Sequence, residues 1–160
     1  MTLYGDTVRE ALHALKFGRK TALARPLGDL LAQAGQALLP PVSVDGLVPV
    51  PLHPTREAER GFNQSLLLAR RVARQWRLPV IASALKRVVA TRPQTEFSIR
   101  ERRANVRGAF GLRGPAAVAG RHLLLIDDVF TTGATATECC RVLLDGGASA
   151  VGVLTVARVS

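Results

Sequence analysis

Two adjacent carboxylates, Asp127 and Asp128, stand where a short apolar run gives way to polar sequence. The turn that follows comprises Thr131, Thr132, Gly133, Ala134 and Thr135. A turn of this kind at the start of a helix offers backbone N–H groups, hydroxyl donors and the positive end of the helix dipole, which suit a phosphate. Carboxylates repel phosphate, so their partners would be sugar hydroxyls or a Mg²⁺ ion. These residues therefore predict a site for a phosphorylated ribose.

The same stretch has a simpler interpretation as an ordinary strand, turn and helix whose acids cap the helix. Its unusual composition favours the phosphate site over that alternative. A P-loop is excluded because no lysine follows Gly133.

A second candidate for anion binding is the polar loop at residues 52–64, after the run Leu47-Val48-Pro49-Val50-Pro51. Backbone N–H groups from Leu52 to Arg56, with the charges of Arg56 and Arg60, would hold an anion outside the sheet. The alternative is a solvated loop with the surface ion pairs Arg56–Glu59 and Glu57–Arg60, which contribute little.

The apolar pattern predicts the elements that position these residues. Residues 123–126 are four apolar residues in a row, as expected of a central parallel strand buried on both faces, and we expect this strand to end at the two carboxylates on its solvent side. Ligands of open α/β sheets bind beyond the carboxyl ends of such strands. Because proline removes hydrogen-bond donors, the strand at residues 47–51 should be short or should pair mainly on one side.

Further elements alternate along the chain. Helices are predicted at residues 4–17, with Asp6 as N-cap, at residues 22–38 and after residue 64; strands are predicted at residues 79–89, 108–112 and 150–159. Residues 91–98 have no periodicity and are expected to be mobile. Strands alternating with helices predict an α/β fold with a doubly wound parallel sheet and N-terminal helices.

Length and composition place limits on the class of protein. The 160 residues suit a single domain at 1–160, with a helical segment at 1–40 and a core at 42–160. No apolar run approaches a membrane span and no signal-peptide core begins the sequence, so we expect no membrane span and a cytoplasmic location. The neighbouring cysteines Cys139 and Cys140 cannot form a disulfide framework or a CxxC metal site, and they are expected to be buried thiols.

The net charge of +10 predicts anionic partners, either a small polyanion or nucleic acid. Residues 86–113 hold eight basic and two acidic residues, a net charge of +6. Aromatic residues make up only 4% of the chain, and the basic stretches lack the interleaved rings that a strand-binding groove uses for stacking.

Residues 123–135 resemble the ribose 5-phosphate loop of type I phosphoribosyltransferases, which bind phosphoribosyl pyrophosphate (PRPP). The resemblance implies that Asp127 and Asp128 contact the ribose hydroxyls and hold Mg²⁺ indirectly, and that residues 131–135 bind the 5′-phosphate. It implies a pyrophosphate site made of Leu52, His53, Pro54, Thr55, Arg56 and Arg60. It also implies that Arg92 and Gln94, in the mobile segment, face the pyrophosphate.

A closer resemblance is to the ComF/GntX family of competence proteins. It is carried by Tyr4, Arg9 and Leu15-Lys16-Phe17, by Val48 to Pro54 with Arg60-Gly61-Phe62-Asn63-Gln64, and by Asn105-Val106-Arg107-Gly108-Ala109-Phe110. The resemblance implies a role in natural competence. It is compatible with three partners: single-stranded DNA, a competence helicase and a second copy of the chain. Members of this family usually carry a four-cysteine zinc module ahead of the Tyr4 segment, and we expect none here.

Two classes of function follow. The first is an enzyme that transfers a phosphoribosyl group from PRPP to an acceptor and releases pyrophosphate. We favour this interpretation. No residue stands out as a general base for the acceptor. The second is a binding protein, either a non-catalytic ribose-phosphate sensor or a single-stranded DNA-binding competence factor that uses the basic segment and Arg70, Arg74 and Arg77.

Overall fold

The computed structural model of the protein describes residues 5–38, 44–89 and 106–159. Its strands are β1 (Gly46–Pro49), β2 (Leu85–Arg87), β3 (Phe110–Leu112), β4 (His122–Phe130) and β5 (Ala150–Arg158). Its α-helices are α1 (Asp6–Lys16), α2 (Ala24–Leu38), α3 (Pro54–Arg60), α4 (Gln64–Trp76) and α5 (Ala134–Asp145), with short 3-10 helices at Thr21–Leu23 and Pro115–Ala117. The predicted mobile segment at residues 91–98 lies outside the described residues.

Strand β4 is the centre of a parallel sheet with the order β1-β4-β5. Val48 of β1 lies opposite Leu125, and on the other side Leu125 lies opposite Val153 of β5. Strand β1 pairs along its whole length with β4, whereas its other edge makes one bridge, from Leu47 to Val80. Both the central buried strand and the short, one-sided, proline-containing strand are confirmed.

Alternation along β4 sends apolar side chains to two separate apolar layers. Leu124 and Ile126 pack in one layer with Leu12 of α1, Leu27 of α2 and Leu68 of α4. The other layer contains Leu123 and Leu125 of β4 and buried residues of β2, β3 and α5. Since helices cover both faces of a parallel sheet, the doubly wound α/β fold with N-terminal helices is confirmed. The division into a segment at 1–40 and a core at 42–160 stays a prediction.

Three details differ from the predicted elements. Of the strand predicted at residues 79–89, only Leu85–Arg87 form a strand, β2, which pairs antiparallel with β3 in a separate two-stranded sheet. Gly5, and not Asp6, is the N-cap of α1, so Asp6 lies in the first turn, where its charge favours the helix dipole. The predicted loop at residues 52–64 contains the seven-residue helix α3. His53 caps its start and Gly61, with φ of 84°, ends it in the left-handed conformation that glycine adopts without strain.

Asn63 joins the start of α4 to the end of β1. Its side-chain oxygen accepts hydrogen bonds from the N–H groups of Ser65 and Leu66, at 2.9 and 3.3 Å, and its side-chain nitrogen donates to the carbonyl of Val50 at 3.0 Å. The side chain is buried, so each of these groups depends on it for a partner.

Asn63→Ala is expected to lower the free energy of unfolding by about 2 kcal/mol, because it removes a helix cap and leaves a buried carbonyl without a donor. Asn63→Ser keeps a neutral capping oxygen and loses the donor to Val50, so it should cost less than the alanine variant. Denaturant unfolding measures both, and equal losses in the two variants would show that the link to β1 carries the whole effect.

No helix within residues 5–38, 44–89 and 106–159 combines the length and apolar character needed to cross a membrane. Cys139 is buried and Cys140 half-buried, and burial raises the pKa of both thiols.

Candidate functional site

A cavity of about 360 Å³ opens at the carboxyl ends of β1 and β4. Elements from several parts of the chain line it: the end of α1, the segment after β1, α3, the start of α4, β2, the end of β4, the start of α5, and β5. Its charged lining residues are Lys16, Arg56, Glu59, Arg60, Arg87, Asp127 and Asp128. The position beyond the strand ends is the one expected for a ligand of an open α/β sheet.

Asp127 and Asp128 lie inside β4, because the strand continues to Phe130. One oxygen of Asp127 accepts hydrogen bonds from the Ser65 hydroxyl and from the N–H of Asp128, both at 2.9 Å. Asp128 is 4% exposed and forms an ion pair with Lys16. The prediction that the strand ends at these acids, with the carboxylates on its solvent side, is therefore wrong. The reason is that β5 pairs with β4 through Phe130.

The environment of Asp127 disfavours its charged form. Removal from water, and then the charge of neighbouring Asp128, raise the pKa of Asp127 to about 7. Its hydrogen bonds from Ser65 and from the N–H of Asp128 act in the opposite direction. The Asp127 carboxyl therefore gains or loses its proton near neutral pH.

This shift predicts how stability depends on pH. Between the unfolded pKa near 4 and the folded pKa near 7, the folded protein binds the extra proton, so the free energy of unfolding should fall as pH rises through that window. The limiting slope is about 1.4 kcal/mol per pH unit. Asp127→Asn should flatten the slope in denaturant unfolding without divalent cations; an unchanged slope would contradict the assignment.

The turn predicted to bind phosphate joins β4 to α5. Gly133 is the N-cap of α5 with φ of 74°, and a Cβ built on it would lie 2.6 Å from the ring of Phe130. Thr131, Gly133, Ala134 and Thr135 line the cavity. Thr132 is not among the lining residues; its hydroxyl accepts a hydrogen bond from the N–H of Ala134 at 3.4 Å.

Most of the predicted pyrophosphate residues line the same cavity. Leu52, His53, Thr55, Arg56 and Arg60 line the cavity, and Pro54 does not. The His53 ring accepts a hydrogen bond from the N–H of Thr55 at 3.3 Å, so this N–H already has a partner.

Burial and the nearby Arg56 charge lower the pKa of Arg60, and the charge of Asp128 opposes them. Arg60 donates a hydrogen bond to Gln64 and lies over the ring of Phe17. The alternative surface pairs, Arg56–Glu59 and Glu57–Arg60, do not occur among the ion pairs of the described residues.

Several residues of the site were not predicted. Lys16, Phe17 and Gln64 line the cavity, and all three lie in the strings that carried the ComF resemblance, which is the signal that could have found them. Arg87 and Thr155 also line it and carry no such signal. The predicted residues Arg92 and Gln94 lie outside the described residues.

A magnesium ion would find few protein ligands here. Across the described parts of the chain, no three His, Cys, Asp or Glu residues come together as a metal site. Mg²⁺ commonly keeps several waters and binds through one or two carboxylates together with phosphate oxygens of a substrate. Two carboxylates alone would leave most positions around the ion to water and to phosphate oxygens of a ligand, so Asp127 and Asp128 fit an indirect role in holding Mg²⁺.

Comparison with known proteins gives the family. The chain is 38% identical over 161 residues to the DNA utilization protein YhgH of Escherichia coli K12, covering 97% of this chain and 69% of that protein. The chain belongs to the ComF family. The competence protein ComFC of Bacillus subtilis strain 168 is another relative, 31% identical, of which this ComF-family chain spans 61%. No protein-family model matches the chain.

Solved structures show the fold of this ComF protein. Adenine phosphoribosyltransferase from Saccharomyces cerevisiae superimposes with a TM-score of 0.57 at 15% identity, covering 88% of this chain and 72% of that enzyme. Glutamine PRPP amidotransferase from Bacillus subtilis superimposes with a TM-score of 0.55 at 21% identity, and this chain spans only 26% of it. The fold is therefore that of the phosphoribosyltransferases, as predicted.

Proposed function

We propose that this ComF-family protein binds a phosphorylated ribose, either PRPP or ribose 5-phosphate, with Mg²⁺ accompanying PRPP. The observation that carries the proposal is that one cavity brings together Asp127 and Asp128, the turn around Gly133, and the guanidinium groups of Arg56 and Arg60. Acceptors for a sugar diol, donors for one phosphate and cations for a second anion are the recognition set that PRPP requires.

Each group has a role in this proposal. The turn and the first N–H groups of α5 receive the 5′-phosphate, and Asp127 and Asp128 accept hydrogen bonds from the ribose hydroxyls. Arg56 and Arg60 attract the pyrophosphate. When bound, Mg²⁺ would neutralise charge on the pyrophosphate oxygens.

Phosphoribosyl transfer is the reaction that this arrangement would support. The bond between ribose C1 and the pyrophosphate oxygen breaks, its electron pair leaves with pyrophosphate, and an acceptor forms the new bond to C1 while it loses a proton. Negative charge then grows next to Arg56 and Arg60, where fixed cations stabilise it. A ribose-phosphate sensor would use the same binding groups without this step.

Calorimetry tests the binding proposal. Titration with ribose 5-phosphate and with PRPP plus Mg²⁺ should give saturable binding with one site per chain, and glucose 6-phosphate, a phosphorylated sugar of different ring shape, serves as the control ligand. Release of pyrophosphate from PRPP in the presence of candidate acceptors separates the enzyme from the sensor. Absence of binding by both ribose ligands would contradict the proposal.

The relatives' names connect this family with DNA utilization and competence. We propose that this protein also acts in the use of DNA during competence. Contact with single-stranded DNA is the second candidate function. Arg70 and Arg74 are exposed on α4 and Arg77 is exposed at its C-cap, whereas Arg71 is held by Asp29. A competence helicase and a second copy of this chain stay predicted partners.

Replacing Arg70, Arg74 and Arg77 by glutamine is expected to reduce the slope of log affinity against log salt for a single-stranded oligonucleotide by about 2, since each neutralised phosphate contributes about 0.7. The exposed residues Arg9, Lys20 and Arg25, replaced together by glutamine, remove the same charge elsewhere and should leave the slope unchanged. Equal slopes in the two triple variants would count against a DNA contact on α4.

A further inference from the structure

The last residue of α1 places a cation in the candidate site. The ammonium group of Lys16 forms an ion pair with Asp128, and the two side chains are 22% and 5% exposed. Lys16 and Asp128 both line the cavity. A lysine 112 positions away in the sequence therefore neutralises one of the two carboxylates expected to meet the sugar and the metal.

Neighbouring contacts hold the end of α1 in this place. The ring of Phe17 lies 5.7 Å from the guanidinium carbon of Arg60, and the Arg19 guanidinium donates a hydrogen bond to the carbonyl of Glu59 at 2.8 Å. Lys16 is thus the first of three nearby residues that bind the end of α1 to the walls of the cavity. Its contact with Asp128 is part of a built interface and differs in this respect from an exposed surface pair.

Charge balance at Asp128 explains why this contact matters. A buried carboxylate needs a hydrogen-bonded or charged partner, and Asp127 beside it adds repulsion whenever it is ionised. Lys16 supplies the compensating charge before any ligand arrives. A divalent cation at the same carboxylate would then stand next to an ammonium group, and like charges at this range repel strongly where water is partly excluded.

We propose that Lys16 takes the place of a metal ion at Asp128, so that the ligand-free protein holds no divalent cation there and Mg²⁺ enters only on the pyrophosphate oxygens of its ligand. One consequence rests on the proposed function: ribose 5-phosphate, which lacks the pyrophosphate, binds without metal. Lys16 is then the residue that decides which ligands of this site depend on a divalent cation.

The first experiment uses Mn²⁺ alone, a paramagnetic ion suited to carboxylate and water ligands, and measures free and bound ion by electron paramagnetic resonance. Lys16→Met keeps the length of the side chain without its charge and should bind Mn²⁺ about 10-fold or more tightly than the parent protein. The gain should vanish in Lys16→Met with Asp128→Asn. Lys16→Arg, which keeps the charge, and Lys20→Met, which removes an exposed lysine nearby, should both resemble the parent.

Equal Mn²⁺ affinity in the parent and in Lys16→Met would overturn the proposal, as would a gain that survives Asp128→Asn. If circular dichroism shows that Lys16→Met is unfolded, Lys16→Gln replaces it with the same expectations. Tight Mn²⁺ binding that Asp128→Asn removes from the parent itself would also overturn it.

The second experiment titrates ribose 5-phosphate in EDTA and in Mg²⁺. The parent should show affinities within about 3-fold of each other, and Lys16→Met should bind about 10-fold more weakly in EDTA than in Mg²⁺. A parent that binds ribose 5-phosphate only with Mg²⁺ would overturn the role of Lys16. If the parent binds neither ribose 5-phosphate under either condition nor PRPP with Mg²⁺, the proposed function is contradicted instead, while the Mn²⁺ result, obtained without ligand, still decides the role of Lys16.

Discussion

The double variant Asp127→Asn, Asp128→Asn is expected to bind ribose 5-phosphate about 100-fold more weakly than the parent protein. A hydrogen bond to a charged group contributes about 1.5 to 3 kcal/mol, and the variant replaces the Asp128 carboxylate, together with Asp127 wherever it is ionised, by neutral amides. A loss near 3 kcal/mol corresponds to that change in affinity. Calorimetry in the absence of divalent cations measures it directly.

The fold should survive this change. Asparagine at position 127 keeps an oxygen that can accept from Ser65 and from the N–H of residue 128, and it removes a carboxylate whose ionisation burial disfavours. Lys16 loses its partner but is partly exposed and can turn towards water. A matched control, Asp6→Asn with Asp145→Asn, removes two exposed carboxylates and should leave the affinity unchanged. Binding within about 3-fold of the parent in the site variant would contradict the assignment of the sugar-binding carboxylates.

Gly133→Ala is expected to weaken ribose 5-phosphate binding by about 10-fold or more and to lower the free energy of unfolding by about 2 kcal/mol. Its φ of 74° is a conformation that costs a residue with a Cβ about 1 kcal/mol, and the new methyl group would lie 2.6 Å from the ring of Phe130. Relief of that contact must move either the ring or the turn, and the turn carries the N–H groups proposed to hold the phosphate.

Gly120→Ala separates the two effects. Gly120 has nearly the same φ, 71°, but a Cβ there would meet nothing within 4 Å. This variant should lose about 1 kcal/mol of stability from the backbone alone, with affinity unchanged. If both variants bind ribose 5-phosphate as the parent does, the turn at Gly133 is not the phosphate site.

The parts of the fold that sequence reasoning predicted are those with a strong apolar pattern. Residues 123–126 are apolar without interruption because both faces of β4 are covered. Pro49 in β1 and Pro51 after it indicated that this strand pairs mainly on one side. Helix α3 was missed because it has no buried residue and therefore no apolar stripe to indicate a helix.

The sequence predicted the part of the candidate site whose residues are neighbours along the chain. Asp127, Asp128 and the turn around Gly133 are neighbours in sequence, and their residue types indicate a ligand. Arg87 and Thr155 reach the cavity only because the chain returns to it from distant positions, and a single arginine or threonine has no local pattern that indicates this. Lys16 is equally distant, and only its place in the ComF-like string could have indicated it. The ion pair of the buried Asp128 likewise depends on a residue distant in sequence, Lys16 of α1.

The central position of β4 has a consequence for how the chain is made. Residues 46–49 pair with residues 123–126, so β1 leaves the ribosome well before the strand that completes its hydrogen bonds. Until then, the nascent chain can form contacts of shorter range, such as the packing of α2 against α4 with the Asp29–Arg71 ion pair. The apolar faces of α1, α2 and α4 would meanwhile lack the sheet that covers them. High contact order of this kind slows folding, and it makes the half-synthesised chain a natural client for chaperones.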